Sequence, residues 1–274
     1  MIPASFEYVE ATSVQHALEL HAQHDDAKFL AGGHSLVPMM KLRLVSTGVL
    51  IDIGRLAELS YIDDRGDHIA VGALTRHRVV ETSPLLAEHL GLLAHVAGHV
   101  GDPQVRNRGT IGGSLVHGDP AADLPSAALA LGATMVLTSA GGTRLVPARD
   151  FFVGFLETAV AEGELLTEIR FPKRTGEAWA YEKFNRRAMD YAIVAVAVQL
   201  GAQPGVALVN MNTKPHFAAA ASAALAAGAA ASAVVDAVTE GTEPWSDANA
   251  TPEYRAHLAR ELTTRALARA GYTA

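Results

Sequence analysis

The chain has no cysteine. That absence excludes disulfides, a thiol nucleophile and any iron–sulfur cluster held by this chain's own thiolates. Aromatic residues are scarce, at 6%, so aliphatic side chains and alanine must build most of the core. Basic residues are outnumbered, with 22 Lys and Arg against 29 Asp and Glu. Nucleic-acid binding needs clustered Lys and Arg to displace counterions from phosphates. The arginines here are scattered apart from Arg106/Arg108 and Arg186/Arg187, so no nucleic-acid partner is expected. The most apolar stretch, Phe217 to Val238, is mostly Ala broken by Ser, Gly and Asp236. It reads as an amphipathic helix on a sheet, and no integral membrane segment is expected. The opening Met1-Ile2-Pro3-Ala4-Ser5-Phe6 has no basic stretch ahead of an apolar core. No secretory signal is therefore expected, and the expected location is cytoplasmic.

What is present is a chain of 274 residues, 49% hydrophobic and 19% charged, enough for two modest domains or one large one. Three blocks emerge. The first reads as a βαβ unit: a strand at Phe6–Val9, a helix capped by Thr12 or Ser13, a strand at Lys28–Ala31, a helix through Leu36–Leu44 and a strand at Val49–Ile53. The second starts near Leu59 and holds a strand at His68–Ala73 and helices at Thr75–Glu81 and Pro84–Val100. A glycine-rich passage follows at Gly109–Gly118, then a helix near Ala121–Leu131. A hairpin folds around Ala140-Gly141-Gly142, and a strand at Glu164–Phe171 stops at Pro172. The third holds strands at Ala178–Asn185, Ala192–Gln199 and Val206–Asn210, then helices at Ala218–Thr239 and Pro252–Ala270.

Two glycine segments carry the chemistry. Ala31-Gly32-Gly33-His34-Ser35 lies between a strand and a helix. Backbone N–H groups are free there, so the segment can hold a phosphate without a cationic side chain, although a simple tight turn has the same spacing. It is not the G-x-G-x-x-G pattern of nicotinamide dinucleotide sites. The second segment, Arg106-Asn107-Arg108-Gly109-Thr110-Ile111-Gly112-Gly113-Ser114, places three glycines, a Thr and a Ser within six residues, a set suited to a pyrophosphate. Asp123 follows; it can accept from ribityl hydroxyls or a flavin edge, or cap a helix. Arg106 and Arg108 can touch phosphate or pair with Asp102 or Asp119. His95 and His99 have helical ligand spacing but no third ligand, so no metal site is expected. His34 and His117 lie inside the glycine segments and are better placed to touch a ligand.

These stretches, together with Lys41-Leu42-Arg43 and Asp119-Pro120-Ala121-Ala122-Asp123-Leu124-Pro125, resemble the FAD-binding medium subunit of molybdenum hydroxylases such as carbon monoxide dehydrogenase, and the flavin domain of xanthine dehydrogenase. The resemblance covers nearly the whole chain, including a closing helix from Glu253-Tyr254-Arg255. It implies an α+β fold: a two-subdomain FAD-binding domain of the PCMH/vanillyl-alcohol-oxidase type, with residues 1–57 and 58–172 as the subdomains. A C-terminal α+β flavoprotein domain follows at 173–274. It implies FAD as cofactor, contacted by Ala31, Gly32, Gly33, His34 and Ser35, by Thr110, Ile111, Gly112, Gly113 and Ser114, and by Asp123 near the ribityl chain. It also puts Lys183 beside the flavin, where its charge would favour the anionic reduced form, and Tyr191 against the isoalloxazine ring.

The implied partners are a large molybdopterin subunit and a small [2Fe–2S] subunit in a dimer of heterotrimers, with this chain relaying electrons from the clusters to an external acceptor. Three features depart from the family pattern: Ser114 where Asn is usual, a short Gly201–Gly205 turn, and Lys214-Pro215-His216. Two rivals remain. One is a self-sufficient PCMH-type flavin oxidase or dehydrogenase, which needs a substrate cavity and a base in the C-terminal domain. The other is a flavin-free assembly subunit.

Overall fold

The computed structural model describes residues 2–273. Its first lobe is a βαβαβ unit: β1 (Glu7–Glu10), α1 (Val14–Ala22), β2 (Ala27–Leu30), α2 (Leu36–Lys41) and β3 (Val49–Asp52). The strands run parallel in the order β1-β3-β2. Central β3 is buried along Val49, Leu50 and Ile51, as a parallel strand between covered faces requires. Ser13, not Thr12, caps α1, accepting from the His16 amide at 3.0 Å.

The second lobe begins with β4 (Ile62–Asp64) and β5 (His68–Gly72). Six helices follow: α3 (His77–Thr82), α4 (Pro84–His89), α5 (Gly91–Gly98), α6 (Pro103–Arg108), α7 (Ile111–His117) and α8 (Asp123–Leu131). The chain then forms β6 (Thr134–Ser139), β7 (Gly142–Pro147), the short α9 (Ala148–Phe151), β8 (Phe152–Gly154), β9 (Glu157–Thr158) and β10 (Leu165–Pro172). The main sheet is antiparallel in the order β4-β5-β10-β6-β7, so the last strand of the lobe lies at its centre.

Several local expectations are corrected here. The helix expected over Pro84–Val100 is two helices, parted at Leu90, whose φ of −143° leaves the helical region. The glycine-rich passage is not a continuous loop, because Thr110 caps it into α7. Asp102, capping with Pro103 behind it, starts α6, which the pattern did not suggest. Asp123 is not a cap; Ala122 holds that position and Asp123 opens the first turn of α8.

The C-terminal unit is an antiparallel sheet of β11 (Trp179–Phe184), β12 (Val194–Gln199), β13 (Gly205–Val209) and β14 (His216–Phe217), in that order. It is backed by α10 (Ala219–Ala226), α11 (Ala231–Ala237) and α12 (Pro252–Arg269). The single helix expected at Ala218–Thr239 divides at Gly228, whose φ of +67° is a left-handed conformation that ends a helix. The short Gly201–Gly205 stretch joins β12 to β13, and Lys214-Pro215 leads directly into β14.

Alternation along β12 and β13 explains how this sheet docks. Val194, Val196, Val198, Val206 and Leu208 face α10–α12. Ala195, Ala197, Ala207 and Val209 join the core of the second lobe, with α8. Small residues on that face let α8, buried along its whole length, approach the strands closely. The Ala197→Leu variant is accordingly expected to destabilise the chain by about 1–3 kcal/mol through overpacking, read as a lowered urea midpoint. An unchanged midpoint would show that the seam is loosely filled.

Candidate functional site

Both glycine segments converge on one cavity of about 840 Å³, a size suited to a large organic cofactor. The first segment leaves β2 and enters α2. The second leaves α6 and enters α7. Gly32 is where they touch: a Cβ there would sit 2.5 Å from the Arg108 carbonyl oxygen and 2.9 Å from the Gly109 Cα. No side chain fits between those backbones, so glycine is required for the two lobes to close.

Arg76 fastens the same junction. Its guanidinium donates to the Arg108 carbonyl in the second lobe and to the Gly54 carbonyl, 3.3 Å away, beyond the first lobe's last strand. Beside it, His77 lines the cavity and is 4% exposed, and its Nδ1 has no hydrogen-bond partner among the described residues. Burial, reinforced by His34 and Arg76, pushes its pKa down to about 4, so the ring is neutral near pH 7. Neither residue was singled out from the sequence. Their only signal was the Thr75-Arg76-His77 run between a strand and a helix.

The two segments play unequal roles. The amides of Gly33, His34, Ser35 and Leu36 have no intramolecular acceptor among the described residues, and all four residues line the cavity. Such a run of free donors is a cradle for an anionic oxygen group. The Ser35 side chain makes no capping bond and stays available, while the His34 ring reaches back to the Gly32 carbonyl at 3.1 Å. In the second segment the amides are spent internally. Ile111 donates to Thr75, Gly112 to Ala73 and Ser114 to Thr110, and Gly113 donates to Thr110 Oγ1 at 3.1 Å. This segment shapes the wall instead of presenting a row of free donors. Thr110, Gly112, Gly113 and Ser114 line the cavity with Ala31 and Gly32, but Ile111 is buried in the core and does not.

Asp123 and Tyr191 also line the cavity. Asp123 is 5% exposed and is held from behind by two residues of β11: Tyr181 Oη donates to Oδ1 at 2.5 Å, and Lys183 Nζ donates to Oδ2 at 2.9 Å. Lys183 also donates to the His99 carbonyl at 3.1 Å and is absent from the cavity lining. The pair is buried on both sides, with each side chain 5% exposed. Burial raises the Asp123 pKa, and Lys183 and Tyr181 offset only part of that rise. Breaking such a pair by removing one partner costs about 3–5 kcal/mol. Tyr191 is exposed where it lines the cavity, and partial desolvation, then Asp119 and Asp123, raise its pKa.

The remaining candidates fall elsewhere. Arg106 pairs with neither Asp102 nor Asp119; its Nε donates to Glu81 at 3.0 Å, and its Nη1 to the Val100 and Gly101 carbonyls. The His95 and His99 rings meet tilted, 4.5 Å between centroids, and lie against Trp179 and Tyr181. Among the described residues no group of three potential ligands gathers around a metal position.

A closed junction of two α+β lobes, a row of free amides and a buried carboxylate suit a cofactor that has anionic oxygens at one end and hydroxyl or N–H donors at the other. Residues 4–174 match the FAD binding domain in molybdopterin dehydrogenase, and residues 179–270 match the CO dehydrogenase flavoprotein C-terminal domain. The class is thus an FAD-binding flavoprotein, a subunit of an oxidoreductase. Within that class the chain belongs to the family of medium, FAD-binding chains of molybdenum hydroxylases.

The chain is 38% identical over 282 residues to the carbon monoxide dehydrogenase medium chain of Afipia carboxidovorans, covering 98% of each. It is 43% identical over 200 residues to the glyceraldehyde dehydrogenase medium chain of Sulfolobus acidocaldarius, covering 73% of this chain and 71% of the relative. A solved structure of carbon monoxide dehydrogenase from Hydrogenophaga pseudoflava, lacking the Mo-pyranopterin moiety of its molybdenum cofactor, superposes with a TM-score of 0.95 at 41% identity over the full length of both chains.

Because Gly32 sets the approach of the lobes, Gly32→Val is expected to weaken FAD binding about 10-fold or more, equivalent to about 1.4 kcal/mol, while leaving the far-ultraviolet circular dichroism spectrum intact. Titration of the apo chain with FAD checks this. Unchanged affinity would mean that the junction does not shape the cavity.

Proposed function

We propose that this chain is the electron-transfer subunit of a molybdenum hydroxylase complex, taking electrons from [2Fe–2S] clusters on a small partner and passing them to an external acceptor. A large molybdopterin partner oxidises the substrate, and the assembly is a dimer of heterotrimers in the cytoplasm. The division into subdomains 1–57 and 58–172 and a C-terminal domain 173–274 belongs to the same reading. FAD, when bound, supplies the one- and two-electron redox chemistry. The chain's own residues bind and orient it. Gly33, His34, Ser35 and Leu36 offer amides to its phosphates, Thr110, Gly112, Gly113 and Ser114 wall the cavity, Asp123 accepts from the flavin half, and Tyr191 screens the ring at the mouth.

The observation that carries this reading is the division of labour around the cavity. Among the described residues the C-terminal domain contributes Met189, Asp190 and Tyr191 to the lining, and no more. A neighbouring cavity of about 590 Å³ lies mostly in that domain and shares Met189, Asp190 and Tyr191; a self-sufficient oxidase would need to seat its substrate there with a base beside the flavin. With no cysteine in the chain, iron–sulfur clusters have to sit on another subunit. No helix among the described residues is long and apolar enough to cross a membrane.

Copurification of the chain with its molybdenum and iron–sulfur partners tests the proposal. The assembly should carry about one FAD per copy of this chain, and its flavin band at 450 nm should bleach on anaerobic addition of the complex's substrate. The isolated chain with FAD should not bleach with that substrate. Bleaching by the isolated chain would favour the self-sufficient oxidase, and a tight but colourless complex would favour the flavin-free subunit.

A further inference from the structure

The family resemblance implies Lys183 beside the flavin; in the structure it is bonded to Asp123. Its Nζ lies 2.9 Å from Asp123 Oδ2 and donates to the His99 carbonyl. Lys183 and Tyr181 are absent from the cavity lining, while Asp123 is part of it. Tyr181 holds the other carboxylate oxygen at 2.5 Å. β11 alternates, so residues 181 and 183 share a face, and both point at the first turn of α8. Each carboxylate oxygen accepts one bond from this clamp and keeps further lone-pair capacity.

We propose that Lys183 and Tyr181 are positioning residues that act through Asp123: they hold it as a single oriented carboxylate on the cavity wall, where it accepts hydrogen bonds from the hydroxyl or N–H donors of FAD's flavin–ribityl half. The inference rests on the FAD reading above and deepens it. The neutral donors of that half need an acceptor, and the anionic half needs donors. The cavity supplies them separately, with Asp123 for one and the Gly33–Leu36 amides for the other. A carboxylate in so dry a place stays charged only while a cation stands next to it. The groups facing it are Lys183 and Tyr181 from β11 and His99 after α5, with Asp119 from the preceding loop and Tyr191 from the mouth segment coupled to the same patch.

The sign of the pH effect follows. Removing the Lys183 cation raises the Asp123 pKa, because burial then acts with less opposition. The carboxyl is a strong acceptor above its pKa and loses charge as pH falls through it. FAD affinity in Lys183→Met should therefore be retained at high pH and lost at low pH. Each unit of upward shift costs about tenfold in the charged fraction once pH is below the pKa.

The test titrates the full-length apo chain with FAD and, separately, with ADP, from pH 6 to pH 9. Lys183→Met should lose about 10-fold or more in FAD affinity between pH 9 and pH 6, a steeper loss than wild type shows over the same range. Lys183→Arg should restore the wild-type profile, and ADP affinity should match wild type in both variants. Should Lys183→Met fail to fold, Tyr181→Phe serves in its place and should show a smaller loss in the same direction, about threefold.

An equal loss of FAD affinity at every pH, or a matching loss for ADP, would overturn the proposal by showing a merely structural pair. So would a variant profile identical to wild type. Wild type that binds ADP but not FAD would overturn the FAD reading itself, a failure distinguishable from that of the clamp.

Discussion

Closure of the two lobes depends on one backbone contact: Gly32 lying against the Arg108 carbonyl and the Gly109 Cα. Beside that contact the residues Gly33 to Leu36 line the cavity, and a Cβ built on Gly113 would lie 4.0 Å from the Ala31 Cβ. The Arg76 guanidinium, spanning the Gly54 and Arg108 carbonyls, fixes the junction with a charge that burial makes harder to keep, and its pKa is lowered accordingly. The desolvation of that cation is offset by carbonyl oxygens that would otherwise lack donors.

A second seam joins the C-terminal sheet to the flavin lobes. The alanine face of β12 and β13 lets α8 lie close to the strands, and that closeness brings Tyr181 and Lys183 within bonding distance of Asp123. Packing and electrostatics are therefore coupled. The small side chains give the approach, and the buried ion pair makes the register of helix against strand specific. On the far side of the same sheet, fully buried Arg255 ties α12 to the Ile193 and Trp245 carbonyls and to Asp247 at 2.6 Å, anchoring the segment that follows Tyr191.

Most of the longer strands and the two glycine segments were legible in the sequence because both are local signals. Period-two alternation gave β10, and strand–glycine–helix spacing gave Ala31–Ser35; the short β4, β8, β9 and β14 were not read. What the sequence left unread was non-local. Arg76 and His77 look like an ordinary helix start, and their role appears only when Arg108 and Gly109 arrive from some thirty residues away. The resemblance implied Lys183 beside the flavin, but its bond to Asp123 could not be read, because nothing in the pattern of either segment reports the distance between them. The second glycine segment resembled a phosphate loop by composition. Its amides prove to be consumed by Ala73, Thr75 and Thr110, an accounting that requires the fold.

The central claim is that the free amides of the first segment hold the anionic end of FAD. Hydrogen–deuterium exchange of the chain with and without FAD measures those amides directly. The account predicts strong slowing across Gly33 to Leu36 when FAD is added, and little change across Ile111 to Ser114, which are already bonded. Slowing confined to residues 111–114, or none in either segment, would contradict it.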